Sequence, residues 1–513
     1  MALFDSVRMG SSGVSTGYEV ERSLRFNPDD AAYLSRSAGS GSSTIISVSA
    51  WVKISHRGEA IYIHGAGGGS QTNTHFESML YINSSGQIAA AHRGGVVGAG
   101  GWYRRAASPE HVLRDHSAWY HVMVGFNSNA SGDSNKLKLY VNGVETDSSN
   151  GGGNIGSFDY INGNGQTQYI GRQDFGGGPG YGKGYIAELY VIDGTQLTPS
   201  TFIETDAVTG QINPKNSEDV LAAVTLGTNG GYYNFSDNSN TTAATLGKDH
   251  SSNSNNFTPN NFSVSAGQGN DSLEDSPTNN FPTFNPLQTR EQDDRITNGM
   301  LDVSFNNSDD NAASVATFGM ESGKWYFEVL LRSDSSAVNN SIIGISPDTY
   351  LELKRCGTNN AWPGKDTDSG VGIDGSGAKY VDGSSSTYGS SLAQNDIIGI
   401  AVDADAAKVA FSKNGQFSDG NGNFNQGANV ASGGQAQIDG TGPYFFAVAD
   451  ASSGSDPKFT VNFGQRAFSH TIPSGYQKLC QKNLPDPSIK LPNKFFDTTL
   501  YTGNGSTGQS ITS

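Results

Sequence analysis

Two stretches far apart in the chain each end an alternating apolar run in Asn-Gly. The first is Lys136-Leu137-Lys138-Leu139-Tyr140-Val141-Asn142-Gly143. The second is Val409-Ala410-Phe411-Ser412-Lys413-Asn414-Gly415. Both residues of Asn-Gly tolerate positive φ, which a two-residue turn between right-twisted strands requires. This pair after alternating apolar residues is therefore the strongest short-range hairpin signal. One such hairpin in each half divides the chain into two β-rich modules and points to binding rather than chemistry.

The composition agrees. At 513 residues the chain is long enough for two or three domains. Charged residues are only 16% while aromatic residues reach 10%, the reverse of a disordered chain. Gly accounts for 67 residues, about twice the usual share of roughly 7%. Many short strands joined by loops rich in Gly, Ser, Asn and Asp satisfy these facts together. Lys plus Arg number 32 against 49 Asp plus Glu, a net charge of −17 without a basic block, so the chain is not expected to bind nucleic acid. Residues Met1 to Gly17 lack a basic stretch followed by an apolar run and do not read as a secretion signal. No run of about 18 apolar residues is present, so no membrane insertion is expected. Cys356 and Cys480 form neither a disulfide framework nor a metal pair, and are expected to stay reduced in a protein made in a cytosol.

The chain divides by composition. Residues 1–22 are a polar arm. Residues 23–207 are strand-rich: Ile46, Val48, Ala50, Val52 and Ile54 share one strand face, with Ser47, Ser49, Trp51 and Lys53 on the other. Further strands are expected at His75–Ile82, Trp119–Phe126, Lys136–Val141, Tyr169–Arg172 and Gly184–Asp193. Residues 208–297 are an Asn- and Ser-rich connector with aromatic islands such as Tyr232-Tyr233-Asn234-Phe235. A structureless loop of that length inside a compact protein is unusual, so the connector is expected to be ordered and to pack its aromatics on both neighbours. In residues 298–468, Trp325, Phe327, Val329 and Leu331 share a face, and Phe459, Val461 and Phe463 form a late strand. Residues 469–513 are a tail carrying Pro485, Pro487 and Pro492. With no helical period anywhere, helix is expected below about 15%, against a typical 30–35%.

The residues of the first region resemble laminin-G-like domains of the concanavalin-A-like class. The carriers are Ser49-Ala50-Trp51-Val52-Lys53, Trp119-Tyr120-His121-Val122, Leu139-Tyr140-Val141-Asn142-Gly143 and Tyr185-Ile186-Ala187-Glu188-Leu189. The second region resembles a SPRY domain through Gly323-Lys324-Trp325-Tyr326-Phe327-Glu328-Val329, Asp396-Ile397-Ile398-Gly399-Ile400-Ala401-Val402-Asp403, Phe411-Ser412-Lys413-Asn414-Gly415 and Val461-Asn462-Phe463-Gly464. The resemblances imply an all-β fold: two concanavalin-A-like jelly-roll sandwiches in tandem, joined by an ordered, irregular connector. The combination is similar to virion proteins of marine tailed bacteriophages. It is carried by Asp193-Gly194-Thr195-Gln196-Leu197-Thr198-Pro199, Asp275-Ser276-Pro277-Thr278-Asn279-Asn280, Asn483-Leu484-Pro485-Asp486-Pro487 and Leu500-Tyr501-Thr502-Gly503-Asn504-Gly505.

Sandwiches of this class include glycoside hydrolases, which need two carboxylates roughly 5–9 Å apart across the scissile bond. The nearest pair here is Glu204-Thr205-Asp206. It follows Thr198-Pro199, so a short helix or turn is expected there rather than a strand, and no catalytic role is assigned. No other catalytic motif is present, and the chain is read as not an enzyme. His121, Trp119 and Trp325 are read as strand or core residues. Sugar binding uses aromatic faces for the apolar side of the ring and planar polar groups for hydroxyls. Candidates on Gly-flanked loops are Trp102, Tyr103 and Arg104, and then Asp174 and Tyr181; in the second region they are Trp362, Tyr380 and Tyr388. The alternative is that these rings staple loops or pack on a neighbouring subunit. Some laminin-G-like domains hold calcium through Asp and Asn oxygens, which makes Asp133, Asn135 and Asp174 the metal candidates.

The resemblances imply a virion structural protein, a tail fibre or appendage that binds host-surface carbohydrate. Its partners would be other virion subunits and a host-surface glycan. It would act as a homo-oligomer, with a trimer favoured, so that copy number multiplies weak contacts. The alternatives are a structural or decoration subunit without glycan affinity and, least favoured, a polysaccharide depolymerase.

Overall fold

The structure is a computed structural model. It describes residues 18–42, 44–55, 60–67, 76–93, 104–109, 113–146, 149–150, 166–175, 178–206, 210–267, 269–286, 296–305, 313–347, 362–452 and 455–485. It is mostly strand, 42%, with 6% helix, below the ceiling read from the sequence. Among the described residues no helix is long and apolar enough to cross a membrane.

The first sandwich has two antiparallel sheets. One runs, edge to edge, Val144–Glu145, Leu137–Val141, Tyr120–Asn127, Ile45–Ile54, Gly184–Asp193, Ser23–Phe26 and Ser272–Leu273, with Gly231–Tyr233 added to Gly184–Asp193. The other runs Ser149–Asn150, Arg104–Ala107, Ile88–Arg93, Phe76–Ile82, Ile61–Gly67, Thr167–Ile170, Tyr33–Ser37 and Thr258–Asn260. The apolar face of Ile45–Ile54 packs inward as its alternation requires: Ile46, Val48, Ala50, Val52 and Ile54 meet Leu34, Ile61, Leu80 and Ile170 of the opposite sheet.

The second sandwich repeats the plan. One sheet is Ile296–Thr297, Asp302–Ser304, Lys458–Asn462, Lys324–Leu331, Ile397–Asp403, Lys408–Lys413 and Gln416–Phe417. Ala436–Gln437 joins Lys408–Lys413, and Gln477–Lys478 lies parallel to Lys324–Leu331. The facing sheet is Ala313–Met320, Tyr444–Asp450, Ser341–Pro347, Val371–Ile373, Ala378–Val381 and Ser384–Thr387. Trp325, Phe327, Val329, Leu331, Phe459, Val461 and Phe463 all lie in its core.

Both Asn-Gly turns form as the sequence requires, with φ +49° and +81° at Asn142 and Gly143, and +48° and +78° at Asn414 and Gly415. Each asparagine also closes the neighbouring strand. Asn142 Oδ1 accepts from the His121 amide at 2.9 Å, and the Asn142 amide donates to the His121 carbonyl at 2.8 Å. Asn414 makes the same two bonds with Ile397, at 2.9 and 2.8 Å. The two modules thus use one device at equivalent places.

The outer face of Ile45–Ile54 departs from what alternation alone implies. Ser47, Ser49, Trp51 and Lys53 are all 5% exposed or less. A second apolar layer covers this side, made of Phe202, Ile203, Val220, Leu226 and Tyr232 with Trp51, Met123 and Tyr190. Next to it, Lys53 Nζ donates to Asp275 Oδ2 at 2.8 Å, Asn280 Oδ1 at 2.7 Å and the Phe281 carbonyl at 3.1 Å, which satisfies all three ammonium donors.

The connector is part of both cores. Tyr233, Phe235 and Phe257 are buried in the first, and Phe281, Phe284 and Ile296 in the second. Trp119, read as a core anchor, is half-buried at this junction: its indole donates to Asp275 Oδ1 at 2.9 Å and its ring meets Tyr185 edge-on. Cys480 is a buried free thiol in the second core. Cys356 lies outside the described residues.

Candidate functional site

Strand Tyr33–Ser37 pairs with Thr167–Ile170, placing Tyr169 opposite Ser35 and Ile170 opposite Leu34. Leu34 and Ile170 point into the core, so Tyr33 and Tyr169 emerge on the outer face, half-buried. Directly after Ile170 the chain turns at Gly171, where φ is +81° and a Cβ would stand 2.1 Å from the Phe26 ring. That turn starts the hairpin Arg172–Phe175 with Gly178–Tyr181, in which Arg172 pairs with Tyr181.

The hairpin folds back over the outer face. The Arg172 guanidinium lies 4.8 Å from the Tyr33 ring, 4.8 Å from Tyr169 and 5.9 Å from Tyr181. The Tyr33 ring is 6.0 Å from each of the other two. Beside this group Tyr62 stacks on Tyr81, with ring centroids 6.2 Å apart. Burial pushes the Tyr62 phenol up to about 12, so it stays neutral at physiological pH. The result is an aromatic platform with one cation at its centre. Ring faces of this kind accept the C–H face of a sugar, and phenols and guanidinium are placed to bond hydroxyls.

Tyr181 belongs to this platform. Asp174 is on the same hairpin, opposite Pro179, but its side chain lies outside the described residues. Both are in strands rather than the loop expected, because the Gly-rich stretch folds as a tight hairpin. Trp102 and Tyr103 lie outside the described residues. Arg104 begins the strand Arg104–Ala107 instead of sitting in a loop, and nothing is described of its side chain. Tyr33, Tyr62, Tyr81, Tyr169 and Arg172 were not singled out by sequence. Their signal was an aromatic alternating with buried aliphatics on a strand, whereas binding groups were sought on loops.

In the second sandwich Trp362 and Tyr380 meet edge-to-face, centroids 5.1 Å apart, with the Lys365 ammonium 5.6 Å over the indole. Tyr380 is in strand Ala378–Val381, not a loop, and its hydroxyl donates to Asp374 Oδ2 at 3.1 Å. Tyr388 is 1% exposed and sits in the core. Its hydroxyl donates to the Gly434 carbonyl at 2.5 Å and accepts from the Phe411 amide at 2.9 Å, so it pins strands together and faces no ligand.

Asp133 opens the single-turn helix Asp133–Lys136, with its side chain outside the described residues, and Asn135 donates to the Ser131 carbonyl at 2.9 Å. Asp174 is on a different element. Among the described residues no group of three His, Cys, Asp or Glu side chains comes together to hold a metal. Glu204 is on a strand, Ile203–Thr205, and not in the helix or turn expected, because the short helix ends earlier, at Thr201. Its ladder partner is Asn213, which supplies no second carboxylate. His121 is buried, bonded through Nε2 to Ser49 Oγ at 2.8 Å, and burial pushes its pKa down to about 3, so it is a neutral structural group.

Among the described residues Glu188 is the one strongly perturbed acid. It lies at a bulge in Gly184–Asp193 with φ +48°, 2% exposed. Tyr18 and Tyr232 donate to its carboxylate at 2.9 and 2.7 Å, and Tyr190 at 3.4 Å. Burial outweighs these donors and raises its pKa to about 7. A carboxyl raised in the folded state stabilises the protein fully below its unfolded value, and that stability is lost as pH climbs through the folded value. Stability from Glu188 should therefore fall between about pH 4.5 and 7, by roughly 3 kcal/mol. Buried His64 and His121, both lowered to about 3, act in the opposite sense below pH 6.5. The measurement is accordingly a difference: urea unfolding at pH 5 to 8 should show Glu188→Gln gaining on wild type as pH rises. Parallel pH curves would show that Glu188 is not the titrating group.

Two regions of the chain match known families. Residues 27–201 match the concanavalin A-like lectin/glucanases superfamily, and residues 324–428 match the SPRY domain. The two sandwiches are thus a concanavalin A-like domain and a SPRY domain in tandem. No curated protein matches the chain. Among solved structures, it is similar to the SPRY domain of human HERC1 at 19% identity, covering 35% of this chain and 96% of that one with a TM-score of 0.27. It is also similar to a heptameric SAP-like pentraxin from Limulus polyphemus at 18% identity, covering 36% and 80% with a TM-score of 0.25. A third similarity is to a putative carbohydrate binding protein from Bacteroides ovatus at 17% identity, covering 47% and 59% with a TM-score of 0.31.

Proposed function

We propose that this chain is a non-enzymatic recognition protein of a tailed-phage virion, a tail fibre or appendage, that binds host-surface carbohydrate through its first sandwich. The observation that carries the binding reading is the Tyr33, Tyr169, Tyr181 and Arg172 platform on an outer sheet face. The match of residues 27–201 to a superfamily that includes lectins supports it. The virion setting rests on the phrases Asp193–Pro199, Asp275–Asn280, Asn483–Pro487 and Leu500–Gly505, which are similar to those of phage virion proteins. Each copy binds weakly, and assembly into a homo-oligomer supplies useful avidity.

Adsorption of purified protein to host cells tests this reading. Tyr169→Ala with Tyr181→Ala should reduce adsorption at least tenfold while folding and oligomeric state stay unchanged. Adding Trp102→Ala to Tyr181→Ala tests whether Trp102 shares the site. Equal adsorption by wild type and the platform variant would remove the platform from the site. No adsorption by either would favour a structural subunit that contacts only other virion proteins.

A further inference from the structure

Two segments cross the outer face of the second sandwich. The loop after Gln416–Phe417 and the stretch that follows Lys458–Asn462 bring Val430, Phe468, Ile472 and Tyr476 onto an apolar patch of Tyr326, Ala401, Ala410 and Phe417. Both segments are held by their own hydrogen bonds. In the loop the Phe417 amide donates to the Gly427 carbonyl at 2.9 Å, and the Gly427 amide donates to Gln416 Oε1 at 3.0 Å. In the second segment the Ser469 and His470 amides each donate to the Glu328 carboxylate at 2.8 Å, and the Tyr476 amide donates to the Pro473 carbonyl at 3.1 Å.

A cavity of about 520 Å³ opens between the two segments, within the roughly 300–1,000 Å³ of small-ligand sites. Gln426, Asn429 and Gln435 line it from the loop, Ser474 and Tyr476 line it from the second segment, and Lys324 lies beside them. The Lys324 ammonium stands 5.8 Å from the Tyr476 ring and is bonded to Asp403 Oδ2 at 2.9 Å, so it brings no unpaired charge. Tyr476 also borders a neighbouring cavity of about 580 Å³, where Glu19, Glu21 and Glu274 are matched by Arg22, Lys478 and Lys482. Lys482 bonds Glu19 at 2.7 Å, and Lys478 bonds Glu274 at 2.5 Å. The two cavities are thus polar, electrically balanced and joined by one aromatic residue.

We propose that these adjoining cavities are a second saccharide site, one that takes an uncharged oligosaccharide. A carboxamide offers a donor and an acceptor at once, as a sugar hydroxyl does. Three of them around a tyrosine can hold hydroxyls while the ring takes an apolar C–H face. Acidic sugars would need an unpaired cation, and the lysines here are all bonded to carboxylates. Because the walls are already fixed, little ordering opposes binding. The residues belong to a different module from the Tyr169 and Tyr181 platform, so the site stands or falls apart from it.

The test is binding of the full chain carrying Tyr169→Ala with Tyr181→Ala, which removes the platform, to an array of neutral gluco-, manno- and galacto-oligosaccharides beside sialylated and uronic-acid-bearing ones. The expected result is retention of at least one neutral oligosaccharide, with at least a tenfold loss when Asn429→Ala and Gln435→Ala are added. Three results overturn the proposal: binding of acidic members alone, binding unchanged by the two added substitutions, or no saccharide bound, whether or not a random peptide library yields a ligand. If the platform reading fails instead, wild type and the Tyr169, Tyr181 variant bind alike, and the loss at Asn429 and Gln435 remains. If the added substitutions prevent folding, wild-type crystals soaked with the retained oligosaccharide decide. Density against Tyr476 supports the site, and its absence there overturns it.

Discussion

Replacing Asp275 with Ala is expected to destabilise the first sandwich by about 3–5 kcal/mol, because it leaves a buried ammonium without its countercharge. Lys53 is fully buried, and the side chains of this ion pair are 0% and 1% exposed. Asp275 also accepts the Trp119 indole proton at 2.9 Å, so one substitution orphans two donors. Lys53→Met combined with Asp275→Asn should recover most of the loss, since it removes the charge along with its partner. Urea unfolding followed by tryptophan fluorescence measures both variants against wild type. A single Asp275→Ala variant as stable as wild type would show that the connector does not seal this face.

Phe284→Ala should cost about 3–5 kcal/mol, as a core phenylalanine does, although the residue lies in what composition marks as a linker. Phe284 is fully buried, 6.0 Å from the Phe446 ring, and its amide donates to the Met300 carbonyl at 2.9 Å. Phe446 in turn lies 5.0 Å from Phe327 and 5.9 Å from Phe463, so removing Phe284 opens a cavity at the centre of the second sandwich. Val144→Ala, at a site 69% exposed, is the matched control and should change stability by less than about 0.5 kcal/mol. Equal, small losses for both would return residues 281–284 to the status of a tether.

These two predictions fall where alternation stops being informative. The inward set Ile46, Val48, Ala50, Val52 and Ile54 was legible because a period of two assigns one face to a core. The same pattern marks Ser47, Ser49, Trp51 and Lys53 only as the opposite face. It contains nothing about a second layer supplied by residues 202–281, more than a hundred positions away. The Asn-Gly turns were legible because their φ requirement is local. The platform was half legible. Tyr181 stood out as an aromatic near glycines, but Tyr33 and Tyr169 become neighbours of Arg172 only through strand pairing. Tyr388 failed for the converse reason: its flanking Ser and Gly residues read as a surface loop, while its hydroxyl bridges Gly434 and Phe411 inside the core.

The most direct measurement is calorimetric titration of the purified chain with oligosaccharide extracted from the host surface, on wild type and on Tyr169→Ala with Tyr181→Ala. The account predicts weak single-site binding to wild type, with a Kd of about 1 mM, corresponding to roughly 4 kcal/mol, and at least a tenfold loss in the variant. Equal affinity in the two proteins, or no heat from wild type at millimolar ligand, would contradict it.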